Sequence, residues 1–579
     1  MPWTLYRYIL RELLKVLVLT AVVLVTVMSF AAAVKPMQDG LLGPASLVKF
    51  VLFTMPTVLG FALPFAGAFS ATLVFTRLVA DNEVLACCAG GLSYRKVLMP
   101  TFGLGLVLTL SMLVLSNTVI PGFWKAARNT IEGDVLGVLV SQLNQNQPYV
   151  FRDEGLVLYA QRAQQRVPTD TETVMGLIPQ QYIELQGVAF GQFDKNTGEV
   201  FNDTTASRAG VLLIRDEDSG RSYITLRLKD PMFYNARTGE LRSDQAQFGQ
   251  IDSDPIYLPN PVEDKAVFFT LEELIDLWGH PDRYDRVREA KTNLAAAVER
   301  QEMRLALIEA LSAGRPGEGF VLLRGGIRGD HYMLSAPRIT QNGQGLQLDA
   351  ADGLKVTIDR YNNAELSGVP ELRFEAEYGE ITITTSEFSG ETEAELTLLN
   401  VTVTDPILPD SANQKGRHEF APMGWMGDLL PGEPLETMSA RDLGVLAKQE
   451  RYSADVDVRE GTNRLAYEIM KLTLSISAQA HTRAATAVAC LLLIVLGAVL
   501  AIRMKGRIPL IVFFWSFLLA MLTLLMIYAG QNMATDLDPD LLKTGAFNWQ
   551  QVAGLGVLWG GNLVTLIVIG REYCRIART

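Results

Sequence analysis

Cysteine is scarce in this sequence, and grouped cysteine or histidine is lacking. The 579 residues include four cysteines, and none of them lies between positions 122 and 480. A disulfide framework is therefore excluded for that long central segment. The four histidines are scattered, and no CxxC or His/Cys pair has the spacing of a metal site. We therefore expect neither a metal nor any other cofactor.

Catalytic and nucleotide-binding motifs are also missing. The sequence has no GxxxxGK[ST], no HExxH and no GxSxG. A basic excess is absent as well, because 63 acidic residues outnumber 51 basic ones and the net charge is −12. Phosphate binding needs clustered Lys and Arg, so nucleic acid is not an expected partner. The chain is thus not expected to be an enzyme.

Long apolar runs are what the sequence does have. A membrane span needs about 20 apolar residues to cross a core about 30 Å thick. Six stretches qualify, at 13–34, 47–76, 97–120, 484–502, 508–528 and 551–569. The first is followed by Lys35-Pro36 rather than a small-residue cleavage site, which favours a membrane anchor over a signal peptide. We expect membrane halves at 1–121 and 481–579 around a polar block at 122–480.

Basic residues indicate the orientation of these spans. They are concentrated at the N-terminus, between spans two and three, between spans four and five, and in the C-terminal tail. If the spans alternate, all four segments lie on one side, which the positive-inside rule makes cytoplasmic. We therefore expect an inner-membrane, multi-pass protein with both termini cytoplasmic and the polar block periplasmic. The aromatic and basic stretch 3–11 is either an interfacial helix or a simple flank of span one.

The polar block is mostly patterned as β-strands. From about 149 to 404 apolar residues alternate with polar ones, and Gly, Asn and Asp separate the strand-like segments, as in a sandwich or jelly roll. Thr270 as N-cap and a charged helix ending near 312 interrupt this series. One β domain with a helical insertion at about 270–313 is favoured over two β units. The predicted fold is thus an α-helical membrane protein with six transmembrane helices (3+3) plus a periplasmic β-jelly-roll-like domain carrying that insertion.

The loop after span two predicts a short helix at about 80–91. Asp81 and Asn82 are N-cap candidates, and Glu83 falls in the first turn, where acidic residues are favourable. Gly90-Gly91 would end the helix. We call residues 80–91 the coupling segment.

An apolar face is predicted on this short helix, formed by Val84, Leu85 and Cys88. A plain connector would not need such a face, so this is a place where an external partner would dock. The vicinal pair Cys87-Cys88 has two interpretations, redox chemistry and packing, and packing is favoured. Lys35, at the far end of span one, also has two interpretations. It is either an end residue whose side chain snorkels to the membrane surface or a cation that meets an anionic headgroup.

Four segments together resemble the lipopolysaccharide export permease family, LptF/LptG. They are the opening Leu5-Tyr-Arg-Tyr-Ile-Leu-Arg-Glu-Leu-Leu14, the loop from Asn82-Glu-Val-Leu-Ala to Pro100, the exit Asn117-Thr-Val-Ile-Pro121, and the C-terminal motifs His481-Thr-Arg-Ala, Gly497-Ala-Val-Leu-Ala501 and Trp559-Gly-Gly-Asn562. The arrangement of three spans, a β domain and three spans is similar too. The outer block is longer than is usual in that family, and the double cysteine departs from its coupling segment.

The resemblance implies a permease subunit of an ABC transporter without its own nucleotide site. Its implied partners are a paralogous permease, a cytoplasmic ABC ATPase dimer, a periplasmic jelly-roll acceptor and lipopolysaccharide. It also implies that the coupling segment, with Asp81, Glu83, Leu85, Gly90 and Gly91, binds the ATPase, that Lys35 faces the lipid headgroup, and that spans one and five line the gate. A permease for another lipid or lipoprotein, and a non-transporting scaffold or sensor, are the alternatives.

Overall fold

The structure is a computed structural model. It describes residues 3–38, 44–125, 139–145, 147–151, 156–166, 168, 179, 181–193, 200–215, 222–235, 240–243, 250–252, 256–258, 265–313, 319–325, 330–342, 345–361, 369–385, 392–420, 423–426, 435, 437–537 and 548–578. By its internal contacts the chain divides into two compact units. Unit 1 comprises Met1–Ile275, Leu474–Leu537 and Phe547–Thr579, and unit 2 comprises Asp276–Thr473 and Asp538–Ala546.

The helices account for the predicted membrane spans. In chain order they are α1 (Trp3–Gln38), α2 (Pro44–Ala80), α3 (Glu83–Ala89), α4 (Tyr94–Val114), α5 (Leu271–Gly279), α6 (Asp285–Leu311), α7 (Ala440–Leu446), α8 (Glu450–Ser453), α9 (Val456–Arg503), α10 (Pro509–Thr535) and α11 (Trp549–Arg578). Among the described residues, six helices are long and apolar enough to cross a membrane: α1, α2, α4, α9, α10 and α11. The prediction of six spans, three near each end of the chain, is confirmed.

Two of the helices extend further than their apolar runs indicated. After Val114, helix α4 continues through a π-helical turn at Leu115–Val119. Helix α9 has 48 residues and is about 72 Å long, more than twice the thickness of the hydrocarbon core. It begins at Val456, whereas the predicted span began at 484, because the polar part of its sequence is helical too.

The spans of unit 1 pack through small residues. A Cβ on Gly530 of α10 would lie 2.4 Å from the backbone nitrogen of Leu558 on α11, so the two backbones touch there. The buried hydroxyls of Thr523 and Thr565 share a hydrogen bond of 2.8 Å across the same pair of helices. Small residues and hydroxyl bonds of this kind hold helices together in lipid, where no hydrophobic driving force acts between them.

Unit 1 also contains the first β-sheet. Its strands are β1 (Tyr149–Phe151), β2 (Leu156–Arg166), β3 (Gln181–Phe193), β4 (Val200–Arg215), β5 (Ser222–Lys229), β6 (Met232–Asn235), β7 (Glu240–Ser243), β8 (Gln250–Asp252) and β9 (Ile256–Leu258). The main order is β1-β2-β3-β4-β5-β8, with β6 beside β4, β7 beside β6 and β9 beside β5. All these pairings are antiparallel. Alternate residues such as Leu158, Ile183 and Leu185 form its core.

Unit 2 contains the second sheet. Its strands are β10 (Val321–Gly325), β11 (Asp330–Ser335), β12 (Arg338–Asn342), β13 (Gly345–Asp349), β14 (Val356–Tyr361), β15 (Leu372–Ala376), β16 (Tyr378–Thr385), β17 (Thr392–Asp405), β18 (Leu408–Glu419) and β19 (Met423–Trp425). The order is β12-β13-β16-β17-β15-β14-β11-β10-β19, with β18 beside β17. Because β19 also pairs with β17, six strands close into a ring. Met303, Leu307 and Leu311 of α6 pack into its core.

A buried polar network joins α6 to α8 and α9 within unit 2. The Glu302 carboxylate is only 3% exposed, and it accepts hydrogen bonds from Tyr452 and Arg451. Arg304 pairs with Asp455 at 2.6 Å. Every charge in this network has a partner, as the cost of burying charges requires.

The predicted helical insertion is present between the two sheets. Thr270 accepts a hydrogen bond from the backbone N–H of Glu273, and its own N–H donates to the Glu273 carboxylate at 2.8 Å. This reciprocal capping box begins α5, as the sequence indicated. These elements and the six spans confirm the predicted fold class. The contacts group 122–275 with the membrane helices, whereas the predicted boundaries fall at 121 and 480, and those boundaries remain a prediction.

Candidate coupling site

Contacts within unit 1 bring the four basic segments of the sequence to the same end of the helical bundle. Tyr8 near the N-terminus donates a hydrogen bond to Glu83 of α3 at 3.3 Å. Arg95, at the start of α4, donates to the hydroxyl of Tyr573 on α11 at 3.2 Å. At the end of α9, Arg503 lies 3.5 Å from a carboxylate oxygen of Glu572, also on α11. We call this the coupling end of the bundle.

The coupling segment forms the predicted helix, Glu83–Ala89, with a tight stop. The N–H of Gly91 bonds to the carbonyl of Cys88 at 3.0 Å, and the N–H of Leu92 bonds to the carbonyl of Cys87 at 3.1 Å. Together these two bonds form a Schellman motif. Its C′ residue, Gly91, has a φ of +85°, which a residue without a Cβ adopts at little cost. Gly90 is the C-cap with a φ of −76°.

The beginning of α3 differs from a side-chain N-cap. Asn82 is the N-cap residue, but its φ is +58° and its side chain makes no capping hydrogen bond. The preceding residue, Asp81, is exposed, and its N–H bonds to the carbonyl of Arg77 at the end of α2. The chain thus leaves α2 through a left-handed turn, and backbone bonds rather than the Asp81 or Asn82 side chains define where α3 starts.

Only part of the predicted apolar face on α3 is open to a partner. Val84 is buried in the core of the bundle, whereas Leu85 is 53% exposed. Successive residues point about 100° apart around a helix, so Val84 and Leu85 lie at the two edges of this face, with Cys88 between them. One apolar residue therefore anchors α3 to the spans, and the other faces outward beside the half-buried Glu83.

Both cysteines of α3 are free and half-buried against the same core. Burial raises the pKa of the Cys87 thiol, and the nearby Cys88 and Glu83 raise it further. A thiol with a raised pKa is a poor nucleophile because little of it is thiolate at neutral pH. This supports the packing interpretation of the pair over redox chemistry.

A chain of polar contacts connects α3 to α1 and α2. Besides its bond to Glu83, the Tyr8 hydroxyl accepts a hydrogen bond from Arg77 at 3.4 Å. Arg77 also pairs with Glu12 at 3.1 Å, and Glu12 pairs with Lys15 at 2.8 Å. The sequence analysis missed this network, although Tyr8 and Glu12 are one turn apart on one face of α1, which was the available signal.

The last predicted site residue, Lys35, lies apart from the coupling segment. It falls in the final turn of α1, Trp3–Gln38. Its side chain lies outside the described residues, so its role remains a prediction. The structure therefore brings Asp81, Glu83, Leu85, Gly90 and Gly91 together on one short segment and does not place Lys35 among them.

A second polar cluster surrounds Arg483 of α9. Arg483 and Asn117 both lie in segments that carry the family resemblance, but the sequence did not indicate that they meet. The Arg483 guanidinium is only 4% exposed. It donates to the Asn117 amide oxygen at 3.0 Å and to the carbonyl of Phe269 at 2.7 Å. It also reaches the carbonyls of Ala266 and Val267, both at 3.4 Å. We call these five residues the Arg483 cluster.

The Arg483 cluster connects three separate parts of unit 1. Asn117 lies in the π-helical turn that follows α4, and Ala266–Phe268 is a 3-10 turn just before α5. Trp124 stacks on Phe268 with ring centroids 4.4 Å apart, next to the cluster in sequence. Arg483 lies where the polar first part of α9 meets its apolar part. A buried cation next to a membrane span is costly and usually has a role, and that was the signal in the sequence.

No group of three or more His, Cys, Asp or Glu side chains in the part of the chain that the structure describes could hold a metal ion. Hydrogen bonds and ion pairs connect the residues around Glu83, and hydrogen bonds connect those of the Arg483 cluster. Six candidate spans and a β-rich domain define a multi-span membrane protein, with the short helix α3 at one end of its helical bundle.

A sequence model of the family described as lipopolysaccharide export system permease LptF/LptG matches residues 7–300. The chain belongs to this family, as the resemblance predicted. It is therefore a transport component of the inner membrane with several spans, and the family implies lipopolysaccharide as substrate and a partner permease. A search of curated proteins found no match.

The match contains α1 to α5, the first sheet and part of α6. The resemblance noted from His481 to Asn562 lies beyond residue 300 and remains a prediction.

Proposed function

We propose that this chain is one permease subunit of an ABC transporter that extracts lipopolysaccharide from the inner membrane. In this proposal it pairs with a paralogous permease and binds a cytoplasmic ATPase dimer. It passes the lipid to a periplasmic path of β-jelly-roll proteins toward the outer membrane. Family membership, the six candidate spans and the β-rich domain support the proposal.

The energy of lipid extraction supports a separate ATPase. Each CH₂ group that leaves the membrane costs about 0.8 kcal/mol, so one chain of roughly a dozen such groups costs about 10 kcal/mol. A lipid with several chains costs far more than binding contacts alone offset. Because this sequence has no P-loop, the energy has to come from another subunit.

Helix α3 is the proposed contact with the ATPase, and the exposure of Leu85 is the observation that carries this role. Val84 and the Schellman stop fix the helix to the bundle, while Leu85 leaves an apolar side chain in the open beside Glu83. A partner that covers Leu85 would remove this apolar side chain from water, which is favourable.

The polar chain from α3 provides a route for force into the membrane. A displacement of α3 would act on α1 through the Glu83–Tyr8 bond and on α2 through Arg77, which is paired with Glu12. Spans one and five, α1 and α10, are the proposed walls of the gate. Most of each of these two helices is exposed, which suits surfaces that face lipid or a partner permease.

The proposed orientation follows from charge. The coupling end gathers the basic segments, so we infer that it is cytoplasmic and that the β-rich domain is periplasmic. Lys35 follows at the other end of span one, where we propose that it meets the anionic headgroup of the lipid. A cation at a membrane boundary is well placed for this contact.

Co-purification with the ATPase tests the coupling role. We expect Glu83→Lys to lose the ATPase, because the substitution reverses the charge beside Leu85. Glu395→Lys is the matched control, since it makes the same charge change at an exposed position of β17 and should keep the ATPase. Tyr8→Phe should also keep the ATPase but reduce transport, because it breaks only the internal bonds of the Tyr8 hydroxyl with Glu83 and Arg77.

A Glu83→Lys variant that binds the ATPase as well as the wild type would remove the role of α3. Analysis of the lipids bound to the purified complex tests the cargo. Enrichment of another lipid without lipopolysaccharide would overturn that part of the proposal.

A further inference from the structure

Helix α5 exposes apolar side chains that a water-facing helix would not. Leu271 is 45% exposed and Ile275 is 66% exposed, while Leu274 between them is buried. Trp278 falls on the same stripe as Leu271 and Ile275 by helical spacing. Glu272 and Glu273 fall on the other side of the helix. One face of α5 thus packs on the protein, and a neighbouring apolar stripe has no protein cover in the described residues.

The Arg483 cluster sets the level of α5 along the bundle. Arg483 is about 20 residues before Arg503 on α9, which at about 1.5 Å per residue corresponds to about 30 Å. That distance equals the thickness of the hydrocarbon core, so Arg483 lies at the membrane boundary opposite the coupling end. Asn117 is also about 20 residues beyond Lys96 on α4, which gives the same level.

Helix α5 starts at this boundary because it is attached there. The carbonyl of Phe269, two residues before α5, accepts a hydrogen bond from Arg483 at 2.7 Å. Within the first turn, Glu273 forms an ion pair with Lys125, the last residue of the third span, whose backbone is about 12 Å beyond Asn117 on the water side of this boundary. The exposed stripe therefore begins where acyl chains meet headgroups, and not in bulk water.

We propose that α5 is an interfacial helix that lies in the outer-leaflet surface of the membrane, with Leu271 and Ile275 inserted among the lipids. Helices of this type bury an apolar face at the boundary between headgroups and acyl chains and keep a polar face in water. A Trp on the stripe suits this depth, where amphipathic rings are favoured. This inference does not depend on the cargo or on the ATPase.

The charge of α5 argues against another explanation, in which electrostatic attraction to anionic lipids holds the helix at the membrane. The polar face has the acidic residues Glu272 and Glu273, and Glu273 is already paired with Lys125. Anionic headgroups would repel such a face. Apolar insertion, aided by the attachment through Phe269, therefore holds the helix at the surface, and raising the salt concentration should not release it.

Photo-cross-linking of the full chain in inner-membrane vesicles tests the proposal. The probe is p-benzoylphenylalanine, placed at Ile275, at Glu272 as the matched polar control, and at Leu110, an exposed residue within the third span. We expect lipid adducts at Ile275 in a yield close to that at Leu110, no lipid adduct at Glu272, and no loss of the Ile275 adduct at high salt.

Three results would overturn the proposal. Cross-links from Ile275 only to protein would mean that a partner subunit covers the stripe. An Ile275 probe as unreactive toward lipid as the Glu272 probe would mean that α5 is in water. A much lower yield of the Ile275 adduct when the irradiation is carried out at high salt would mean that charge, and not insertion, holds the helix. Because these positions are exposed, the probes are not expected to disturb folding, and unchanged size-exclusion profiles of the purified probe variants would confirm it.

Discussion

Removal of the Arg483 side chain should release the segment that leads into α5. The guanidinium holds Phe269 and Asn117 at the boundary of the spans with bonds of 2.7 and 3.0 Å. Arg483→Ala removes both bonds and leaves buried acceptors without donors. Arg483→Lys keeps the charge but supplies a single ammonium in place of a planar, branched donor.

The geometry sets the size of the effect. A hydrogen bond to a charged group contributes roughly 1.5–3 kcal/mol. Two good bonds therefore give about 3–6 kcal/mol, while the contacts of 3.4 Å to Ala266 and Val267 add little. A loss of about 3 kcal/mol corresponds to about a hundredfold increase in local opening. Arg483→Lys should lose about half of this free energy, because one ammonium reaches only part of the cluster.

Amide hydrogen exchange of the full chain in lipid nanodiscs measures this opening directly. We expect residues 265–275 to exchange about a hundredfold faster in Arg483→Ala, because their anchor is gone. Arg503→Ala is the matched control on the same helix. That residue is half-exposed and its pair with Glu572 is long, so its loss should cost at most about 1 kcal/mol and leave 265–275 unchanged.

The double variant with Asn117→Leu tests whether the residues act as one cluster. Arg483→Ala should lower the free energy of local opening by less when Asn117 is already replaced. The hydrogen bond between Arg483 and Asn117 is then already absent and cannot be lost a second time. Equal exchange of residues 265–275 in Arg483→Ala and Arg503→Ala would refute the reasoning, because the carbonyl bonds would then contribute nothing to holding the segment.

Two further predictions concern other parts of the molecule. Gly91→Ala should destabilise the stop of α3 by about 1 kcal/mol because of its positive φ, whereas Gly90→Ala should not, and faster amide exchange at Leu92 in the first variant alone would show this. Burial, then the bond to Glu302, raises the pKa of Tyr452 to about 12. Its neutral form should therefore stabilise the fold fully below about pH 10, and this contribution should disappear between about pH 10 and about pH 12. The stability difference from Tyr452→Phe in denaturant titrations should shrink across that window, and a constant difference would contradict the assignment.

Much of the architecture could be predicted because it depends on local patterns. Apolar runs of span length, a Thr270 capping box and the Gly90-Gly91 stop each act over a few residues, and the structure contains all of them. The strand order could not be predicted, because pairing across the second sheet depends on contacts far apart in sequence. The ring closed by β19 on β17 is one example, and nothing local in 423–425 indicates it.

The candidate site shows the same limit at the level of single residues. The sequence placed Val84 and Leu85 on one face because both are apolar, but the packing of α3 decides which of them is buried. Tyr8 and Glu83 are 75 positions apart, so their bond exists only because α1 and α2 pack together. The sequence pattern therefore predicts where a candidate site lies, and tertiary contacts decide which of its side chains are exposed.

The two clusters also suggest how the ends of the bundle communicate. Helix α9 contains both Arg503, at the coupling end, and Arg483, at the opposite boundary. A packed helix transmits displacement along its length because the close-packed interior leaves few voids to absorb it. If the ATPase moves α3, and α3 moves the spans, then the same motion reaches Phe269 through Arg483. The segment before α5 would thus report the state of the coupling end, and hydrogen exchange at 265–275 with and without nucleotide should reveal it.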